Sequence, residues 1–245
     1  MRIPWAVLSR AFAVQGSWNY ETLIGTGFAF VLLPELRRLY ADPGALEAAV
    51  RRHEGTFNSH PYLAPLALGA VIRMEEDGED PLVIERFKAA LRGSLGTLGD
   101  HLIWAGWRPL CVLSSLVLLL LGLPWWVAVA FFLGVYNLVH FALMTWCLRV
   151  GLTEGMSVAE RLRGSAVRSA QPKLAMAGSF VAGIALSLVV LHGVPTLEMR
   201  PGYLWIPLAV LAAAAGARWG ERARRLGIAG VAVLAGGVLL MGVVT

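Results

Sequence analysis

The chain has 245 residues, of which 57% are hydrophobic and only 15% charged, with a mean hydropathy of +0.65. A soluble domain carries about 25% charged residues, so this composition excludes a water-covered globule and points to an integral membrane protein. The net charge of +5 does not make a nucleic-acid binder, because the arginines flank apolar runs instead of clustering on a polar domain.

Residues 1–21 lack a sustained apolar core and a cleavage site, so no signal peptide is expected. The polar stretch "QGSWNYET", 15–22, then leads directly into the apolar run 23–34. That run and a second at 62–72 are each shorter than the roughly 20 residues a spanning helix needs, and glycine and proline interrupt both. Backbone of this kind survives at membrane depth only where protein or a water-filled cavity satisfies it, which predicts re-entrant or interfacial segments. Between and after them, two amphipathic helices start at Asp42-Pro43 and Asp80-Pro81, each a cap followed by proline at the first helical position. Glu47 and Arg51 form an i,i+4 pair in the first. In the second, Ile84, Phe87 and Leu91 share one face, with Glu85, Lys88 and Arg92 expected opposite. The acidic run "EEDGED", 75–80, reads as a solvated loop.

From residue 110 the runs lengthen. Apolar stretches on either side of Leu123-Pro124 predict a tight hairpin of two spans, and further spans fit 174–194, 203–218 and 227–244. Cys111 and Cys147 lie inside apolar runs and read as small buried hydrophobes, with neither disulfide nor metal spacing. Arg149, Arg161, Arg163, Arg168 and Lys173 share one loop, and Arg218, Arg222, Arg224 and Arg225 another on the same side, against Arg200 alone on the opposite side. This asymmetry places the 150–173 loop in the cytoplasm and the C-terminus outside. The expected fold class is an all-α membrane protein. Residues 1–109 hold short re-entrant or amphipathic helical hairpins entered from the cytoplasmic face, and residues 110–245 about five transmembrane helices.

Four polar clusters stand out: Gln15–Glu21; "FNSHPYLAP", 57–65; "GTLGDHLIWAGWRP", 96–109; and Asn137 with His140, on one face of an apolar helix. Amides beside tryptophans suit a sugar, whose hydroxyls want paired donors and acceptors and whose C–H faces want an aromatic ring. Plainer readings stand beside this one. Trp18 and Tyr20 fit an interfacial belt, Asn137 and His140 fit interhelical hydrogen-bonding glue, Asp100 fits a helix cap, and His101 fits a structural role. Asp100 and His101 make a poor acid–base pair, since adjacent helical residues point about 100° apart. The residues alone give a membrane transporter component for a polar solute.

"QGSWNYE", "FNSHPYLAP" and "LGTLGDHLIWAGWRP", in this order, resemble the IID subunit of the mannose/fructose/sorbose class of the bacterial phosphoenolpyruvate-dependent sugar phosphotransferase system. Ser17-Trp18-Asn19-Tyr20-Glu21, Phe57-Asn58, Pro61-Tyr62, Gly99-Asp100, Trp104 and Arg108-Pro109 carry the match. His60 and His101 stand where threonine, glutamine or serine is more usual. The resemblance covers roughly residues 3–195 well and the remainder only in character.

It implies a translocation unit formed with a IIC membrane subunit in the bacterial inner membrane. That unit would be an elevator-type transporter assembled as a trimer of IIC–IID pairs. Soluble IIA and IIB proteins would carry the phosphate, and the IID chain itself would not be phosphorylated. The expected substrate-binding set is Gln15, Trp18, Asn19, Glu21, Asn58, His60, Asp100, Trp104, Asn137 and His140, with no catalytic residue, metal or cofactor. The alternative is a divergent interaction or regulatory subunit that keeps the fold without transport.

Overall fold

In the structure, a computed structural model, residues 3–193 are described. The expected spans at 203–218 and 227–244, the arginines from Arg200 onward and the C-terminal orientation lie outside these residues. The described chain is helical with no strands: α1 (Trp5–Ala11), α2 (Gly25–Leu39), α3 (Pro43–Glu54), α4 (Ala64–Glu76), α5 (Pro81–Gly99), a π-helical segment (Asp100–Trp107), α6 (Arg108–Leu120), α7 (Trp125–Glu154), a 3-10 turn (Gly155–Ser157), α8 (Val158–Arg163) and α9 (Ala166–Gly193).

The local start signals act as the sequence predicts. The Asp42 carboxylate accepts from Ala45 N at 2.7 Å, with Pro43 next in line, and Arg51 pairs with Glu47 at 2.6 Å. The Asp80 carboxylate accepts from Leu82 N at 2.7 Å ahead of α5. Pro124 precedes α7, and the α6–α7 hairpin turns at Gly122, whose φ of +85° favours glycine.

Two expectations need correction. The polar cluster 96–109 lies within one continuous 40-residue helix, Pro81–Leu120, that runs through the π segment, so no helix starts at Asp100. Asp100, at φ −61° and ψ −45°, is therefore helix interior and not an N-cap. Pro109 supplies the cause. It lacks an N–H and crowds the carbonyl four residues back, and a π turn ahead of it relieves both without ending the helix. Lys88, expected on the polar face of α5, is buried and only 6% exposed. Three helical segments among the described residues are long and apolar enough to cross a membrane: Pro81–Leu120, Trp125–Arg163 and Ser169–Val189.

The chain divides into two compact units. The first comprises residues 1–105 and 135–171, and α4 is its centre. Eleven of α4's thirteen residues are buried, so this apolar helix is enclosed by protein rather than by lipid. Phe28, Leu32 and Leu36 of α2, Phe57, Ile84 and Leu95 of α5, and Cys147 and Leu148 of α7 complete the core. Helices α4 and α7 meet backbone to backbone. A Cβ on Gly69 would stand 2.5 Å from Leu148 O, and one on Gly151 would stand 2.3 Å from Leu66 O. Only small residues permit such a crossing.

Of the described residues, the second unit comprises 106–134 and 172–193. Its α6–α7 hairpin exposes Val112, Leu116, Leu119, Leu121, Trp125, Trp126 and Val129. An apolar surface that large belongs against lipid or another membrane chain.

Candidate functional site

The loop between α1 and α2 is held by Asn19. Its Oδ1 accepts from Glu21 N (2.9 Å) and Thr22 N (2.8 Å), and its Nδ2 donates to Thr22 Oγ1 (2.8 Å) and Ser17 O (3.2 Å). Every donor and acceptor of the amide is thus used inside the loop. The Asn19 and Leu23 backbones bond each other in both directions, and Leu23 sits at φ +58°. A branched side chain adopts that conformation only where the surroundings over-determine it. Those surroundings are the 56–57 segment: Ile24 N donates to Phe57 O (3.0 Å), Phe57 N to Thr22 O (3.1 Å), and Thr56 Oγ1 to Glu21 O (3.2 Å). Gly25 and Gly27 allow the approach, since a Cβ on either would lie about 2 Å from the carbonyl oxygen of Gly55 or Val14. The first two polar clusters are therefore one stitched structure.

Three residues beyond Phe57 the chain enters an aromatic–histidine cluster. His60 packs on Trp104 (ring centroids 4.9 Å apart) and edge-on to Tyr62 (5.1 Å). Tyr62 stacks on His140 at 3.5 Å with planes 11° apart, and its hydroxyl donates to the Tyr136 hydroxyl at 2.7 Å. Phe12 closes the far side against His140 at 5.3 Å. His140 and Tyr136 lie one turn apart on α7, so both reach the same face. His60 is only 2% exposed, and Gly99 lies directly against its Cβ.

Burial, and secondarily His140, keep His60 neutral, with its pKa lowered to about 4. Its Nδ1 accepts from Tyr62 N at 3.2 Å, so the neutral ring carries its proton on Nε2. That Nε2 is buried and has no hydrogen-bond partner among the described residues. A buried donor left unsatisfied costs about 1–3 kcal/mol.

A third cluster, not expected from the sequence, ties α3, α4 and α5 together. Glu75 is only 8% exposed and receives Arg52 (2.7 Å), His53 Nε2 (2.8 Å) and the Tyr40 hydroxyl. Lys88 Nζ donates to Arg52 O (3.0 Å) and approaches His53 Nδ1 (3.4 Å). Burial alone would push the Glu75 pKa up, but the bonds from His53, Tyr40 and Arg52 outweigh it and hold it at about 2. Burial lowers His53 to about 4. The network is thus an ionised Glu75 with a neutral His53 that donates to it through Nε2. The acidic run 75–80 is accordingly not all solvated loop.

Of the expected binding residues, the fold brings together His60, Trp104 and His140. Tyr62 joins them, as do Tyr136 and Phe12, which sequence reasoning passed over. Tyr136 was signalled by its position four residues before His140, whereas Phe12 carried no local signal. Gln15, Glu21, Asn58, Asp100 and Asn137 are exposed. Trp18 stands 47% exposed with its ring edge-on to Tyr20, and Asn19 is committed to its own loop.

A family model described as the PTS system mannose/fructose/sorbose family IID component matches residues 4–199. Over 200 residues the chain is 28% identical to the PTS system mannose-specific EIID component of Escherichia coli K12, a match covering 79% of this chain and 70% of that one. It is 26% identical over 201 residues to the fructose permease IID component of Bacillus subtilis, covering 80% and 72%. A cryo-EM structure of the mannose transporter ManYZ with microcin E492 superposes with a TM-score of 0.59 at 29% identity, over 73% of this chain and 67% of that one. A second structure, described only as a membrane protein, gives a TM-score of 0.65 at 29% identity, over 72% and 66%.

Proposed function

Because the chain belongs to the mannose/fructose/sorbose IID family of the sugar phosphotransferase system, we propose that it is a membrane subunit of a sugar permease. It pairs with a IIC subunit in the inner membrane and translocates a hexose-type sugar that soluble IIA and IIB partners phosphorylate. The observation that carries the site is the His60–Tyr62–Trp104–His140 cluster with its buried, unpartnered His60 Nε2–H. A pyranose presents a hydroxyl oxygen that would accept from Nε2, and an apolar C–H face suited to lie against an aromatic ring. In this reading the 15–23 loop and its 56–57 partner hold the segment bearing His60 in place, so Asn19 acts through position and not by touching sugar.

The basic 150–173 stretch, expected as a loop but folded as the end of α7, a 3-10 turn, α8 and the start of α9, faces the cytoplasm, and α2 with α4 forms the re-entrant part of the fold. Transport is elevator-type, in a trimer of IIC–IID pairs.

The test is sugar binding to the IIC–IID complex, read by tryptophan fluorescence across a panel of hexoses. His60→Ala and Trp104→Ala lower affinity at least about tenfold, the loss of one hydrogen bond or one stacking contact worth about 1.4 kcal/mol. Unchanged affinity in both variants sinks the site assignment.

A further inference from the structure

Away from the aromatic cluster, α7 and the α8–α9 junction enclose a groove of about 510 Å³. Along α7 its wall is apolar. Val139, Leu143 and Trp146 follow the i, i+4, i+7 spacing of one face over about 10 Å of helix, and the small Ala142 leaves room between them. Gly164 and Val167 line the other side, and Arg161 is the charged residue among the described lining residues.

Arg161 lies 3.8 Å from Glu154, and both side chains are exposed, so this contact holds the guanidinium weakly. The surrounding sequence, 149–173, carries Arg149, Arg163, Arg168 and Lys173 against Glu154 and Glu160, a clear positive excess. An apolar channel beside a cation, at the end of a membrane-crossing helix, fits a molecule that is apolar along its length and anionic at one end.

We propose that this groove binds an anionic phospholipid of the cytoplasmic leaflet, one acyl chain lying along Val139–Trp146 and the headgroup phosphate meeting Arg161. Membrane-facing basic pockets of this kind hold acidic headgroups. The proposal rests on the cytoplasmic placement of the 150–173 stretch but not on the sugar site.

The test is native mass spectrometry of the full-length protein, with any membrane partner that copurifies, given equal amounts of phosphatidylglycerol and phosphatidylcholine. Phosphatidylglycerol is retained about fivefold over phosphatidylcholine, the preference one surface arginine confers. Arg161→Gln abolishes that preference and Arg161→Lys keeps most of it. Ala142→Trp, which fills the channel, lowers retention of both lipids, and Ala142→Leu serves in its place should the larger side chain prevent folding. Millimolar inorganic phosphate leaves the lipid in place. Equal retention of the two lipids, displacement by phosphate, or a photo-crosslink from position 142 that captures protein in place of lipid overturns the proposal. Hexose binding is measured on the same variants and stays at the parent level, so failure here and failure of the sugar site are read separately.

Discussion

Gly99 sits against His60, and the clearance between them can be turned into a number. A Cβ added at Gly99 would lie 2.1 Å from His60 Cβ and 2.4 Å from its Cγ. Carbons rest at about 3.5–4.0 Å, so Gly99→Ala must displace His60 or α5 by about 1.5 Å. Overpacking on this scale costs about 1–3 kcal/mol. His60→Ala would not relieve it, because the closest contact is with Cβ itself.

Gly96, one turn earlier on the same helix, has nothing within 4 Å of the same added atom. Gly96→Ala there gains up to about 1 kcal/mol of helix propensity. Two identical substitutions three residues apart therefore act with opposite sign. The assay is the thermal unfolding midpoint in detergent, at about 2–4 °C per kcal/mol for a chain of this size. Hexose affinity is measured in parallel and falls only for Gly99→Ala. Equal midpoints for the two variants, or parent-level affinity in Gly99→Ala, would refute the placement of His60 against α5.

Asn19→Ala removes all four side-chain bonds of the 15–23 loop, so unfolding measurements register a loss of about 1–3 kcal/mol, while the exposed Gln15→Ala and Glu21→Ala stay within about 0.5 kcal/mol. Acid destabilises the first unit. The folded-state pKa of His53 lies below its ordinary 6.5 at about 4, and that of Glu75 below 4.5 at about 2, so below pH 6.5 the unfolded chain binds more protons. The unfolding midpoint therefore drops as pH falls, through His53 between 6.5 and about 4 and through Glu75 between 4.5 and about 2. Glu75→Gln leaves the half-buried Arg52 without its counter-charge, lowers stability at neutral pH by about 1–3 kcal/mol, and removes the lower limb of that pH profile.

What the sequence disclosed was local or ordered along the chain. The Asp42 and Asp80 caps, the Glu47–Arg51 pair and the turn before Pro124 each depend on residues within a few positions, and each forms as expected. The polar clusters were recognisable because their order carried information that none held singly. The buried network was hidden because Glu75 and Lys88 sit 13 positions apart within ordinary charged patterns, and only the meeting of α3, α4 and α5 makes them partners. The π segment was hidden because Asp100 beside an apolar run is what a helix start looks like, while the helix behind it does not end. Asn19 was legible as important, but its saturation by its own loop is a matter of backbone geometry that residue type does not reveal. His60 reads in sequence as one polar residue among several, and its distinction is a proton on Nε2 with nothing among the described residues to accept it.

The central claim is that this chain is an obligate part of a sugar-translocating complex. Its most direct measurement is phosphoenolpyruvate-dependent hexose uptake by cells that express the cognate IIA, IIB and IIC proteins with and without it. The account predicts that uptake of at least one hexose is lost without the chain, returns with the parent sequence, and fails to return with His60→Ala/Trp104→Ala at matched membrane abundance. Full uptake in its absence would contradict the account.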